Sequence, residues 1–308
     1  MTMPTRPLGR TGADVSILCL GGWHIRTIPD DGEAVAIMHA ALDGGMTFFD
    51  NAWDYHDGAS EELMGKALAH PGKRRQCFLM TKCCGRDAAT VQQHLDDSLR
   101  RLRTEVLDLV QIHEVNYDND PEWIIERGGL AALLAAQKAG KVRFLGFTGH
   151  KAPHIHVDLL GRHAWDTVQM PVNVLDYHYR SFVRQAVPAA QAAGTAVLGM
   201  KSLGGGRQQM ARFISAGVCT PEEGIRWALS QPIASLVVGI DSRQVLEQNL
   251  RIGQSFTPMT ANEQSALQAR VRHLAGDGRH ETFKSTQLHD GPYHRAQHGL
   301  TEAEVVAL

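Results

Sequence analysis

A chain of 308 residues, 43% hydrophobic and 21% charged, is long enough to bury a large core without disulfide or metal staples. Its net charge of −2 argues against broad electrostatic binding to nucleic acid or an anionic membrane, and it holds no apolar run long enough to span a bilayer. Five scattered cysteines (Cys19, Cys77, Cys83, Cys84 and Cys219) form no CxxC pair and no metal-type spacing. With no apolar leader in "MTMPTRPLGRTG", they point to reduced thiols and a cytoplasmic protein.

The chain opens on "RPLGRTGADVS", a predicted hairpin within residues 1–15. Eight short apolar runs follow, at 16–22, 46–50, 77–82, 106–113, 142–149, 166–172, 195–201 and 235–240. Longer amphipathic stretches such as "EAVAIMHAALDGG", "AATVQQHLDDSLRRL" and "LAALLAAQKAGKV" separate them. Near-continuous apolar strands alternating with helices predict a parallel sheet whose outer face is covered. The expected fold is a single (β/α)8 TIM barrel over 16–260; a doubly wound open sheet is the structural alternative. After Asn262 the rhythm stops. The His-rich "GDGRHETFKSTQLHDGPYHRAQHGL" predicts a C-terminal extension, 261–308, lying across the surface in extended form.

A barrel carries its chemistry at the C-terminal ends of its strands. Those ends read Asp50, Lys82 and His113 on the second, third and fourth strands, which a barrel makes neighbours. Tyr55 follows in the loop after Asp50. Each residue alone has an ordinary explanation as a turn, strand-end or packing residue; all four together point to acid chemistry. Lowering a phenol by three pKa units takes about 4 kcal/mol at ~1.36 kcal/mol per unit. An ammonium about 4 Å away supplies roughly that at an effective dielectric near 20. Lys82 is the candidate, with Asp50 holding it charged and His113 orienting a carbonyl oxygen or sharing the proton.

These residues resemble the aldo-keto reductase superfamily over nearly the whole chain. "FFDNAWDYHDGASEELMGKAL" is similar to its Asp-Thr-Ala-x-x-Tyr segment and following helix, and "FLMTKC", "RLRTEVLDLVQIHEV" and "KAGKVRFLGFTGH" continue the family order. The resemblance implies NAD(P)H-dependent carbonyl reduction. Tyr55 would be the general acid, Lys82 would lower its pKa, Asp50 would pair with Lys82, and His113 would position the substrate. It implies cofactor contacts from Gly22, Thr148, Gln169, Met200, Lys201, Leu203, Gly205, Asp241, Ser242 and Asn249. Trp23, His24 and Trp53, with Tyr117, would line the pocket for a modest aldehyde or ketone, a sugar or hydroxyketone among them.

Three positions depart from the family pattern. "FTGHK" replaces the usual Ser-Asn near Thr148 and His150. Met200 replaces a stacking Tyr. Asp241 stands where NADP-preferring members often carry Lys or Arg, although Arg243 follows. NADPH is the expected cofactor on the family pattern, with NADH the rival that Asp241 favours. The tail histidines, His280, His289, His294 and His298, lack metal-type spacing, and no metal ligand is assigned. Two other classes compete: a metal-dependent barrel hydrolase using Asp50, His113, Glu114 and His150, and a non-catalytic cofactor-binding sensor.

Overall fold

A computed structural model describes residues 2–204 and 212–301. Two short strands, β1 (Thr5–Pro7) and β2 (Asp14–Ser16), pair antiparallel as the expected hairpin. Eight parallel strands then close into a barrel: β3 (Leu18–Gly21), β4 (Phe48–Asp50), β5 (Phe78–Cys83), β6 (Leu107–Ile112), β7 (Val142–Thr148), β8 (Thr167–Pro171), β9 (Ala196–Met200) and β10 (Ser235–Gly239). Every predicted strand is present in order, with β10 hydrogen-bonded to β3 to complete the circle. No described helix is long and apolar enough to cross a membrane.

Alternation along each strand explains why the sequence takes this form. Leu20, Phe49, Leu79, Val110, Val168 and Val197 join the large outer core beneath the helices. Cys19, Phe48, Met80, Leu109 and Leu198 point the other way and fill the barrel interior. Leu8 and Val15 of the hairpin region pack into that interior cluster. Two residues beyond Phe48 and Met80 come Asp50 and Lys82, and four beyond Leu109 comes His113. Side-chain parity therefore carries the polar set inward at the opposite end of the barrel. Gln111 Nε2 donates to Thr167 Oγ1 at 3.1 Å across the intervening strand. Gly146 permits this, because a Cβ there would sit 2.1 Å from Thr167 Oγ1.

The C-terminal extension differs from the extended surface segment expected. It begins as a helix, Ala261–Val271, whose Thr260 and Glu263 form a capping box. Two short helices follow, Thr282–Ser285 and Pro292–Gln297, and Phe283, Lys284, Asp290 and His294 are buried. A long-range polar partner holds this segment: Lys284 Nζ lies 2.5 Å from Asp176 Oδ1, and the local Glu281 Oε1 is 2.9 Å from the same ammonium. Periodicity gives no sign of such contacts.

Candidate active site

Asp50 ends β4 and Lys82 sits one residue from the end of β5, both almost wholly buried. Lys82 Nζ donates a short hydrogen bond to Asp50 Oδ1 and another to the Asn51 carbonyl at 2.8 Å. The same ammonium lies 3.4 Å from the Tyr55 hydroxyl and 4.8 Å from its ring centroid. Tyr55 opens a tight turn, Tyr55–Gly58, in which His56 and Asp57 take φ values of 51° and 54°. That left-handed backbone is uncommon for residues with side chains. His113, just past β6, places its ring 5.5 Å from that of Tyr55. The structure thus brings all four predicted residues together.

The electrostatics correct one expectation. Burial pushes the Tyr55 phenol well above its usual range, and the charges of Asp50, Asp54 and Glu114 add to the push. The charge of Lys82 is answered by the nearer Asp50 carboxylate, so it does not make Tyr55 acidic here. Asp50 itself is raised by burial, against the pull of Lys82.

Asp54, whose role the sequence did not reveal, accepts from His113 Nδ1 at 2.9 Å. Burial opposes ionisation of this carboxyl, yet its interaction with His113 holds it well below the usual range. An ionised carboxylate can only accept, so the proton on this bond belongs to Nδ1. Burial lowers His113 below an ordinary histidine, and its neutral ring presents a bare Nε2. Arg86, also unanticipated, donates to the carbonyls of Cys84, His113 and Glu114 at 2.9–3.1 Å and pairs with Asp120. It fixes the loops after β5 and β6.

Cofactor candidates gather at the same end. Gly22 follows β3, where a Cβ would meet Asn51 Cγ at 2.7 Å. Thr148 is buried at the end of β7, and Gln169 points inward from β8 with its Nε2 3.6 Å from Met200 Sδ. Gln169 Oε1 is buried without a hydrogen-bond partner, an unmet acceptor that suits a carboxamide N–H. Lys201 has φ 57° just beyond β9, and its Nζ lies 5.3 Å from the Phe283 ring centroid. Leu203 is half-buried, and Gly205 lies outside the described residues. Beyond β10, Asp241 is exposed, Ser242 caps the helix Arg243–Gln254, and Asn249 is buried on that helix. Arg243 pairs with Glu33 at 3.0 Å.

Among the pocket candidates, Trp23 is 40% exposed and meets Tyr55 edge-on at 5.2 Å. His24 instead packs against Gly239. Trp53 stacks on His94 at 3.5 Å and meets Tyr293 of the tail. The Tyr117 hydroxyl donates to Asp290 at 2.6 Å. Asp290 also takes Lys151 Nζ at 2.8 Å and Asn116 Nδ2 at 3.2 Å, and lies 3.2 Å from His150 Nε2. The tail reaches the catalytic rim directly, with Gly291 N donating to Glu114 at 2.9 Å and the His294 ring 5.3 Å from His113. Such pairings divide the hydrolase set: Asp50 belongs to Lys82, and His150 to Asp290.

Known proteins match in sequence and in shape. An aldo-keto reductase of Alternaria alternata, AFTS1, is 29% identical over 245 residues, spanning 65% of each chain, so this chain covers just under two thirds of that relative. An aldo-keto reductase of Schizosaccharomyces pombe whose name carries NADP(+), yakc, is 30% identical over 162 residues, 48% of this chain and 46% of that one. In shape, the holo form of the aldo-keto reductase AKR11C1 from Bacillus halodurans superposes with a TM-score of 0.74 at 24% identity, covering 91% of this chain and 99% of that one. The profile of the Aldo/keto reductase family matches residues 17–223, more than half of the chain, and this establishes that the protein belongs to that family.

Proposed function

We propose that this protein reduces a small aldehyde or ketone with Tyr55 as the proton donor, NADPH as its cofactor and the cytoplasm as its setting. The carrying observation is the single ammonium of Lys82 shared between Asp50 and the Tyr55 hydroxyl. Tyr55 stays a neutral phenol at physiological pH, so it holds the proton that a developing alkoxide must receive. Lys82, kept in place by Asp50 and the Asn51 carbonyl, then stabilises the phenolate left behind. Hydride is the one reactant no side chain can furnish, and a reduced nicotinamide supplies it when bound. Gln169 would hold its carboxamide, supported by the unpartnered buried Oε1, and Thr148, Met200, Lys201, Leu203, Ser242 and Asn249 would hold the rest.

With Nδ1 donating to Asp54, the neutral His113 ring offers Nε2 as an acceptor. It would position a carbonyl substrate through a neighbouring hydroxyl, which favours hydroxyketones and sugars over simple ketones. Trp23 and Trp53 supply apolar walls. NADPH rests on the family pattern and on the cofactor in the Schizosaccharomyces pombe relative's name. The test is Tyr55→Phe: turnover should fall by about a hundred- to ten-thousand-fold, as for loss of a positioned acid, with NADPH affinity unchanged. Normal turnover in that variant would remove Tyr55 from the chemistry.

A further inference from the structure

Buried cations around the barrel mouth are paired with carboxylates. Lys82 answers Asp50, Arg86 lies 2.8 Å from Asp120, Lys151 2.8 Å from Asp290, and Lys284 2.5 Å from Asp176. Lys201 breaks the pattern. It is half-buried just beyond β9, yet among the described residues its ammonium has no hydrogen-bond acceptor and no paired carboxylate; it sits over the Phe283 ring, 5.3 Å from the centroid. A cation–π contact is weak beside the cost of moving an ammonium out of water, and burial lowers Lys201 from the usual lysine range. Its backbone is also held in the left-handed region, at φ 57°, a conformation that tends to mark functional positions. The charges that act on it are those of Glu114, Lys82 and Asp290, past the end of β6, on β5 and in the tail, on the side of Tyr55. Asp290 is already engaged with Lys151 and the Tyr117 hydroxyl. Glu114 accepts from Gly291 N, and burial with the charges of Asp54 and Asp290 pushes its carboxyl well above the usual range, which favours the neutral form. A neutral carboxyl does not repel an anion brought beside Lys201.

We propose that the Lys201 ammonium binds a carboxylate on the substrate, so that small carbonyl acids, aldehydes or ketones that also carry a carboxylate, are the preferred substrates. This deepens the reductase reading and rests on it. Tyr55 and Lys201 would hold two ends of one molecule, the carbonyl at the first and the anion at the second. The span is short, because Lys201 responds to the charge of Lys82, and Lys82 lies 3.4 Å from the Tyr55 hydroxyl. A single ammonium matches a monoanion, whereas the second charge of a phosphate would stand unanswered near Asp290. The loop after β9 serves the cofactor through its backbone in this arrangement, which leaves the side chain for the substrate. His113 keeps its Nδ1–H to Asp54 and its bare Nε2, so the chemistry proposed for the rim is untouched.

The test compares kcat/KM of the full chain for 3- and 4-formylbenzoate with that for the matching formylbenzamides, which keep the shape and lose the charge. The wild type should prefer at least one acid over its amide by roughly ten- to a hundredfold, the worth of one charge-assisted hydrogen bond. Lys201→Met should bring that ratio close to one, through KM rather than kcat, and Lys201→Arg should keep most of it. The ratio cancels any effect on the cofactor, because both aldehydes meet the same one. Equilibrium binding of the acids to the NADP+ complex, which has no hydride to give, should show the same loss in Lys201→Met. If Lys201→Met does not fold, Lys201→Gln takes its place, and the wild-type ratio needs no variant. Equal rates for acid and amide in the wild type would overturn the proposal, as would a Lys201→Met chain that keeps the preference. Weaker NADP+ binding with an unchanged ratio would assign the ammonium to the cofactor's phosphates, and lost thermal stability with an unchanged ratio would assign it to Phe283; either overturns the proposal. Reduction of none of the four aldehydes with NADPH or NADH would contradict the reductase reading itself, a result distinct from reduction without preference.

Discussion

Tyr55 keeps its proton because it is buried and the charges of Asp50, Asp54 and Glu114 oppose its ionisation, while the adjacent Lys82 ammonium is paired with Asp50. An acid held this way gives up its proton only when negative charge forms beside it, which favours transfer within the transition state over release to water. Cofactor choice also turns on one residue. Arg243, the nearest cation in sequence to Asp241, is engaged with Glu33, so Asp241 stands exposed without it. Asp241→Arg should shift preference towards NADPH by roughly ten- to a hundredfold, the worth of one charge-assisted hydrogen bond. Paired NADPH and NADH affinities measure this, and an unchanged ratio would clear Asp241 of any part in selection. At this scale the sequence was informative where a polar residue ended an apolar strand, as at Asp50, Lys82 and His113. It was uninformative for Asp54, a carboxylate in a turn whose partner lies 59 residues away.

The barrel elements were legible for a physical reason. Each strand buries both faces and each helix buries one, so Phe48 and Phe49 had to be apolar together whatever the chemistry at their tip. The tail lacks that constraint. Its helices are short, and what fixes them is polar and distant: Lys284 to Asp176, Asn173 to Glu281, Asp290 to Lys151 and Tyr117. Reading it as an extended surface segment followed from composition and missed these pairs. Lys284→Met should cost about 3–5 kcal/mol, because it leaves the buried Asp176 and Glu281 carboxylates without their cation. Hydrogen exchange should accelerate first in residues 281–298. Uniform acceleration through the barrel, with no lead from the tail, would show that the pair does not anchor that element.

Across the whole molecule, buried histidines set the response to acid. Burial lowers His156 to about 4 and His150 to about 3, and it lowers His94 and His289 to about 4. The unfolded chain takes up these protons below its ordinary histidine pKa of ~6.5, whereas the folded chain does not. Stability should therefore fall as pH drops below that value. Asp290, held at about 2, adds a loss of the same sign at lower pH. Glu281, pushed up to about 7 by burial, works in the opposite direction, losing its contribution as pH rises through neutrality. His156 is wholly buried and packs between Phe147 and Phe182. His156→Phe should flatten the fall in urea-unfolding free energy between pH 6.5 and 4 by about 1.4 kcal/mol per pH unit, one proton's worth. A slope equal to the wild type's would exclude His156 as a source.

The chemistry proposed for Tyr55 requires a nicotinamide site on the same rim. The most direct test is a titration of nucleotide-free protein with NADPH and with NADH, followed by the fluorescence of its tryptophans, among which Trp23 lies against Tyr55. Saturable quenching by one equivalent of NADPH is the expected result, with Tyr55→Phe binding as tightly as the wild type. No quenching and no competition by either nucleotide would contradict it, whatever the geometry of Asp50, Tyr55, Lys82 and His113.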